Sequence, residues 1–310
     1  MKFKIKPAFT VAGMVFIMFA LLFASNFINI GALAQTENVF LAVIILQLVI
    51  FILPGIIYCK YRGTHLKRSL RLKRFDLKSL LLTLCSFFLM VFLTSIVKLG
   101  LYTIGYYNTD FSLYQNYLPM NSTSAVTLTY IVITVCIVPA FTEEFVFRSI
   151  VLGEYTNIKC SKLAAVLLSS GLFAMMHFNI YQLPVYFAGG VVLGYLTIIT
   201  DSVFPAMIVH LLNNIFSLLF ESQLLRLITQ TDSVIFVLFI LFIMFMIFLF
   251  LCLQITEDIY YKKGINGVSS PTVSKTKKTK GILSISVQAL LSPTYIACVL
   301  LFTVAIFVLK

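Results

Sequence analysis

Long apolar runs separated by short polar segments recur along the whole chain. Most of them approach the ~20 residues that an α-helix needs to cross the hydrocarbon core of a bilayer. Eight such runs lie at 8–25, 39–58, 79–98, 124–141, 183–200, 203–220, 233–254 and 287–309. A ninth, shorter run lies at 163–178. The pattern therefore predicts an all-α fold, a polytopic membrane helix bundle with eight or nine transmembrane helices.

The composition agrees with this interpretation. Hydrophobic residues make up 60% of the chain, charged residues make up 11%, and the mean hydropathy is +1.03. Such a chain has too few polar side chains to cover the surface of a soluble globule. The composition therefore excludes an ordinary soluble domain.

The net charge of +12 is unevenly distributed. Basic residues are concentrated in three places, namely Lys2, Lys4 and Lys6, the segment 60–74 and the segment 262–280. The segment 99–123 has neither lysine nor arginine. Basic loops stay on the cytoplasmic side of a membrane. We therefore expect a multi-pass protein of the cell membrane with a cytoplasmic N-terminus, whose basic loops bind anionic lipid heads rather than nucleic acid.

Two features resemble known signals but do not fit them. Ala32-Leu33-Ala34 resembles a signal-peptide cleavage site, yet the preceding apolar run is longer than a signal core and polar residues separate the two, so we expect a retained helix. The six cysteines show no CxxC spacing, which indicates neither a disulfide framework nor a thiolate zinc site.

Polar groups divide the chain into three regions. Residues 1–123 form an N-terminal region of three spans, and 223–310 form C-terminal spans with a basic cytoplasmic linker. The region 124–222 between them contains nearly all the ionisable residues at membrane depth. Such residues are costly in a bilayer and persist mainly where they pair or take part in chemistry. Any catalytic function is therefore expected in 124–222.

The adjacent residues Glu143 and Glu144 are the first candidates. Residues four apart share a helix face, so Glu144 can pair with Arg148, while Glu143 is turned about 100° away. Different surroundings can give two carboxylates different roles. The alternative is that both carboxylates lie in the first turn of a helix capped by Thr142, with Pro139 breaking or kinking the chain before it.

The other candidates are His177 and His210 with Asn214, which follows His210 by one helical turn. Asn213 is the alternative for the inward-facing amide. A lone histidine in an apolar helix is more often a hydrogen-bonded structural residue. If the polar turn at 157–162 closes a helical hairpin, Glu143 and His177 lie at similar depths on its two sides. The depth of His210 does not follow from the sequence.

These residues carry a resemblance to a known family. Glu143-Glu144-Phe-Val-Phe-Arg148 resembles the EExxxR motif, Phe173-Ala-Met-Met-His177 the FxxxH motif, and His210-Leu-Leu-Asn-Asn214 the HxxxN motif of the CPBP family. That family, also called Abi, comprises type II CAAX prenyl endopeptidases and bacteriocin-processing or self-immunity proteins. The resemblance covers roughly 124–220. The Gly189-Gly190-Val-Val-Leu-Gly194 segment is also similar, although small residues equally permit close helix packing.

The resemblance implies an intramembrane endopeptidase that hydrolyses a membrane-associated peptide or protein, such as a CAAX-like tail or a bacteriocin or signal-peptide precursor. It implies that Glu143 and His177 activate the attacking water. It assigns Glu144 with Arg148 to maintaining the site, and His210 with Asn214 to stabilising the oxyanion. These residue types suit general-base work and the stabilisation of negative charge.

The role of a metal stays open at this point. If a metal is used, zinc held by Glu143, His177 and His210 would make the protein a metalloprotease. The HExxH motif is absent, and a mechanism without metal uses the same residues. The main alternative function is a non-catalytic membrane immunity or scaffold protein of the same fold. A transporter that uses Glu143 and His177 as a proton relay is a third hypothesis, although no inverted repeat supports it.

Overall fold

The computed structural model of the protein describes residues 7–27, 38–63, 76–106, 125–158, 160–221, 234–265 and 285–309. These residues are overwhelmingly helical, and no strand occurs among them. The all-α prediction is confirmed. Five helices are long and apolar enough to cross a membrane, and four shorter apolar helices accompany them in the described part of the chain. Together they correspond to the predicted runs.

The helices are numbered in chain order. They are α1 Pro7–Ser25, α2 Asn38–Gln47, α3 Leu53–Arg62, α4 Leu77–Thr103, α5 Ala125–Ile131, α6 Val138–Glu144, α7 Leu152–Asn157, α8 Lys162–Met175, α9 Leu183–Thr200, α10 Phe204–Phe216, α11 Val234–Ile265 and α12 Pro293–Val308. Wider π-helical turns join α2 to α3, α5 to α6 and α6 to α7, and a fourth extends α10. Several of these helices are therefore segments of longer rods.

The rod formed by α5, α6 and α7 corrects one expectation. Pro139 does not end the helix, because a π-helical turn at Val132–Ile137 directly precedes it. Proline lacks the N–H that an α-helix interior uses, and a wider turn is one way for a helix to continue past such a residue. Thr142 consequently lies inside α6 and is not an N-cap. Its hydroxyl lies 2.9 Å from the carbonyl oxygen of Val138 one turn earlier.

Helices α7 and α8 pack together as the hairpin that the sequence analysis set as a condition. The helix ends at Asn157 and the next begins at Lys162, where the Ser161 hydroxyl caps it by accepting from the Ala164 amide at 3.0 Å. This cap satisfies an N–H that would otherwise have no partner at the helix start. The hairpin places α8 beside the rod that contains Glu143 and Glu144.

Two main packing units surround the rod. The larger cluster joins α1, α3, α8 and α12 to the π-helical turn Phe145–Val151, and the second joins α4, α9, α10 and α11. Many large apolar side chains of α11 point outward, for example Ile235 and Phe236. An exposed apolar face of this extent suits contact with lipid.

Two ion pairs connect the ends of neighbouring helices. Arg62 at the end of α3 lies 3.3 Å from Glu154 of α7. At the start of α4, Lys78 lies 2.8 Å from Asp258 near the end of α11. Antiparallel neighbours bring these ends to one side of the bundle, as the alternating order of spans requires.

Several predictions concern residues outside the described ones. They include the lysines before α1, the basic loop at 64–75, most of the 99–123 loop, and the linker at 268–280. The orientation of the chain, its lipid contacts and the three-region division therefore stay predictions.

Candidate active site

The ionisable residues of α6 and the following π-helical turn are enclosed by protein. Glu143 is 5% exposed, Glu144 is fully buried, and Arg148 is 1% exposed. His210 of α10 is also buried. Buried charges are stable only when they are paired and hydrogen-bonded. The contacts of these four residues therefore define the candidate site.

Glu144 is the centre of the cluster. Its Oε1 accepts a hydrogen bond from Nη1 of Arg148 at 2.8 Å, which is the pair expected from their spacing. The same oxygen lies 2.8 Å from Nδ1 of His210. Because a carboxylate can only accept, Nδ1 carries the proton in this bond. Glu144 thereby fixes the orientation of the His210 ring.

The other side of the ring faces Glu143. Nε2 of His210 lies 3.9 Å from Oε2 of Glu143. The sequence left the depth of His210 open, and the structure brings it to both glutamates. This convergence arises because α10 packs against α6.

The cluster contains more acidic than permanently basic side chains. Two carboxylates face one guanidinium, so a single further proton on Glu143 or His210 makes the four side chains neutral as a group. When His210 holds that proton, Glu143 is a carboxylate and Nε2–H is a donor beside it. A general base and a hydrogen-bond donor then coexist without net charge at membrane depth.

Arg148 is held by two further contacts. Its Nη2 donates to the carbonyl oxygen of Gly190 in α9 at 3.3 Å. Its guanidinium carbon lies 4.3 Å from the centre of the Phe173 ring. A planar cation suits a carboxylate, a carbonyl and an aromatic face at the same time. Arg148 thus links α6, α8 and α9.

His177 lies in the turn just after α8 and reaches the cluster through Phe173. The Phe173 ring is 5.3 Å from the His177 ring and 5.8 Å from the His210 ring, both edge to face. Nε2 of His177 is buried and has no hydrogen-bond partner among the described residues. A buried nitrogen without a partner is uncommon, and a catalytic role and a bound water are among its explanations.

Asn214 lies on α10 one turn after His210 and is partly exposed. The hydrogen bonds of the cluster within the described residues join Glu144, Arg148 and His210 and do not include Asn214. Among those residues, no three His, Cys, Asp or Glu side chains are arranged to hold a metal ion. The zinc set of Glu143, His177 and His210 named from the sequence therefore stays a prediction.

Sequence analysis missed two residues near the site. The Thr142 hydroxyl lies 3.1 Å from Oε1 of Gln47, in the rod formed by α2 and α3. Gln47 is the single amide in the apolar run 40–57, and this isolation was a signal available in the sequence. The ring of Tyr186 stacks on His177 with centroids 3.7 Å apart, a contact that no motif indicates.

Glycines let α9 approach α8 closely beside the site. A Cβ at position 190 would lie 3.0 Å from Cβ of Ser170 and 3.2 Å from its Cα. A Cβ at position 194 would lie 3.0 Å from a methyl group of Val166. The close approach supports the packing interpretation of these glycines. It also places the Gly190 carbonyl within reach of Arg148.

The cluster lies deep between the helix ends. Glu143 precedes Glu154 by eleven residues, and Glu154 pairs with Arg62 at the charged side of the bundle. At ~1.5 Å per residue the separation along the helix is about 16 Å. That distance is about half the thickness of a ~30 Å hydrocarbon core.

Comparison with known proteins agrees with the motifs. Residues 125–216 match the family described as "Type II CAAX prenyl endopeptidase Rce1-like". The chain is also similar to "Membrane-embedded CAAX protease MroQ" of Staphylococcus aureus (strain USA300), with 34% identity over 92 residues. The match covers 28% of this chain and 37% of that relative, so the chain matches little more than a third of the relative's length. No solved structure matches significantly.

Proposed function

We propose that this chain is an intramembrane endopeptidase that cleaves a membrane-associated peptide, because residues 125–216 match the type II CAAX prenyl endopeptidase Rce1-like family and are similar to a membrane-embedded CAAX protease. The observation that carries the proposal is the buried cluster of Glu143, Glu144, Arg148 and His210, which lies entirely within the matched segment. A structural role needs only the Glu144–Arg148 pair. The additional carboxylate and the histidine that faces it are the parts that hydrolysis requires.

Glu143 is the proposed general base. Its carboxylate removes a proton from a water molecule as the water oxygen attacks the carbonyl carbon of the peptide bond, and His177 hydrogen-bonds to the same water through Nε2. The new C–O bond converts the carbonyl into a tetrahedral oxyanion. Glu143 then returns the proton to the leaving nitrogen as the C–N bond breaks. The net reaction adds one water to one peptide bond.

His210 and Asn214 are the proposed stabilisers of the oxyanion. Glu144 binds Nδ1 of His210, which leaves Nε2–H as the donor when the ring is protonated. A donor oriented in advance stabilises developing charge without reorganisation. Glu144 and Arg148 act on the reaction through His210 and are positioning residues.

Water activation is proposed to occur without a metal ion. Glu143 lies near His210, and among the described residues no three His, Cys, Asp or Glu side chains surround it as metal ligands. The charge that a metal would supply comes here from the shared proton and from Arg148.

The proposed substrate is a peptide that already lies in the bilayer. The site is about 16 Å from the charged helix ends, as estimated from the helix rise, and apolar faces surround the bundle. A CAAX-like tail, or a bacteriocin or signal-peptide precursor, meets this requirement. The charged helix ends carry basic residues such as Arg62 and Lys78, and we propose that this side faces the cytoplasm of a cell-membrane protein.

The test compares new peptide termini in membranes from cells with the wild type, Glu143→Gln and Glu154→Gln, by mass spectrometry. Glu154 is a matched control, because it is a buried carboxylate of the same rod that pairs with Arg62 away from the cluster. Termini that disappear only in Glu143→Gln would establish proteolysis and identify the substrate. Identical termini in all three strains, at equal protein abundance, would favour the non-catalytic immunity or scaffold function.

A further inference from the structure

Phe178, which follows His177 directly, has a backbone conformation that is rare for its residue type. Its φ is +46°, and the other non-glycine residue with positive φ in the described chain is Asp201. Aspartate tolerates the left-handed region, whereas a bulky aromatic residue there is a steric outlier. Such a conformation persists only when its surroundings hold it in place.

Two aromatic side chains of α1 hold the Phe178 ring. The ring packs edge to face against Phe19, with centroids 5.8 Å apart, and against Phe23 at 6.4 Å. Phe19 is fully buried. Such edge-to-face packing is a preferred aromatic geometry. Helix α1 therefore fixes the residue that follows the candidate catalytic histidine.

The turn itself is defined by the backbone. The amide of His177 donates to the carbonyl oxygen of Ala174 at 3.3 Å, and the amide of Phe178 donates to that of Met175 at 3.1 Å. These bonds end α8, and the left-handed residue then redirects the chain towards α9. The direction of the His177 side chain depends on this turn.

Little else orients His177. Its ring stacks on Tyr186 and meets the edge of Phe173, but its buried Nε2 has no hydrogen-bond partner among the described residues. Stacking restricts the plane of the His177 ring more than the distance by which the ring extends into the site. The backbone at 177–178 therefore sets how far the ring reaches into the site.

We propose that Phe178, Phe19 and Phe23 are positioning residues that hold His177 in the active site through a left-handed turn clamped by α1. Helix α1 lies outside the segment 125–216 that matches the family. The proposal rests on the proposed function in one respect, namely that His177 takes part in cleavage.

The first experiment distinguishes the effect of the left-handed backbone turn at Phe178 from the effect of the Phe178 ring. Phe178→Ala removes the clamp and keeps the steric penalty of positive φ, whereas Phe178→Gly removes the clamp and the penalty together. We expect Phe178→Ala and Phe19→Ala to lower kcat for a fluorogenic farnesylated CAAX peptide about 10-fold with little change in KM, as for a misplaced catalytic group. Phe178→Gly should retain most of the wild-type kcat, and should restore it in the Phe19→Ala background.

Ile17→Ala is the matched control for Phe19→Ala, because Ile17 is on α1 but 55% exposed. It should leave kcat unchanged. A Phe178→Gly variant as impaired as Phe178→Ala would overturn the role of the turn. Folding of each variant is checked by its monodispersity in detergent.

The second experiment does not depend on activity. Diethyl pyrocarbonate modifies histidines, and the chain has three, at positions 65, 177 and 210, which peptide mapping can resolve. Modification of His177 should be at least about threefold faster in Phe178→Ala and Phe19→Ala than in the wild type and Phe178→Gly, since a relaxed turn exposes its nitrogen. His210, which is bound to Glu144, is the internal reference.

The two readouts distinguish the two proposals. Suppose that the wild type cleaves no peptide, but that His177 is modified faster in Phe178→Ala and Phe19→Ala than in the wild type and Phe178→Gly. The proposed function then fails and the positioning role stands. If the wild type cleaves the peptide while His177 reactivity and kcat are the same in all variants, the positioning role is wrong and the proposed function stands.

Discussion

Glu144 and His210 are joined by a 2.8 Å contact between Oε1 and Nδ1, although 66 residues separate them in the chain. We propose that this contact gives the two neighbouring glutamates different roles. Oε1 of Glu144 contacts both Arg148 and His210, whereas Glu143 faces Nε2 of the same ring at 3.9 Å. Substitutions at the two positions should therefore have different consequences.

Glu144→Gln should mainly reduce stability, and Glu143→Gln should mainly abolish turnover. Removal of one partner from a buried ion pair costs about 3–5 kcal/mol, because Arg148 is left uncompensated. Loss of a general base lowers the rate by about 10²–10⁴-fold. Thermal unfolding in detergent and peptide cleavage measured on the same preparations test both effects. Equal unfolding temperatures for the two variants would contradict this division of roles.

Gly190→Ala should be more harmful than Gly194→Ala. The new methyl group at 190 meets the backbone of Ser170, whereas at 194 it meets only the Val166 side chain. Overpacking of this kind costs about 1–3 kcal/mol. It would also displace the carbonyl that binds Arg148. Thermal unfolding and kcat measure the difference, and equal effects at both positions would show that Arg148 does not depend on the helix spacing.

Cleavage should continue after treatment with a metal chelator. The described residues offer no arrangement of three His, Cys, Asp or Glu ligands, and Glu143 has His210 rather than a metal-ligand set beside it. Activity is measured before and after dialysis against EDTA, with metal content determined in parallel. Loss of activity that added Zn²⁺ restores would contradict the metal-free mechanism.

Gln47→Leu should cost a small amount of stability through its contact with Thr142. Interhelical hydrogen bonds in membranes contribute about 0.6 kcal/mol on average. A double-mutant cycle with Thr142→Val isolates this contribution, since Gln47 and Thr142 belong to different rods. A coupling energy near zero would show that the contact does not stabilise the fold.

The helices could be predicted because each span is encoded locally. A run of about twenty apolar residues is long enough to cross a bilayer as a helix, and this can be recognised from the run alone. The Glu144–Arg148 pair can be predicted because residues four apart share one helix face. The polar residues at 157–162 were compatible with a hairpin, which the sequence analysis used as a condition. These features depend on short stretches of chain.

The approach of His210 to both glutamates could not be predicted in this way. It depends on how α10 packs against α6, which no local pattern specifies. The π-helical turns were missed because a wider turn uses the same apolar residues as an α-helix. Tyr186 was missed because an aromatic residue in a span is ordinarily a packing residue.

The pairing of α1 with α12 has a consequence for how the protein is made. Cys298 of α12 donates to the Ala12 carbonyl oxygen of α1 at 3.5 Å, so the helix that clamps Phe178 is itself covered by a helix synthesised much later. At about 5–20 residues per second, a ribosome needs some tens of seconds to travel between them. During that interval α1 lacks part of its final packing. A nascent chain would therefore gain a firmly placed His177 only after α12 has been synthesised and has packed against α1.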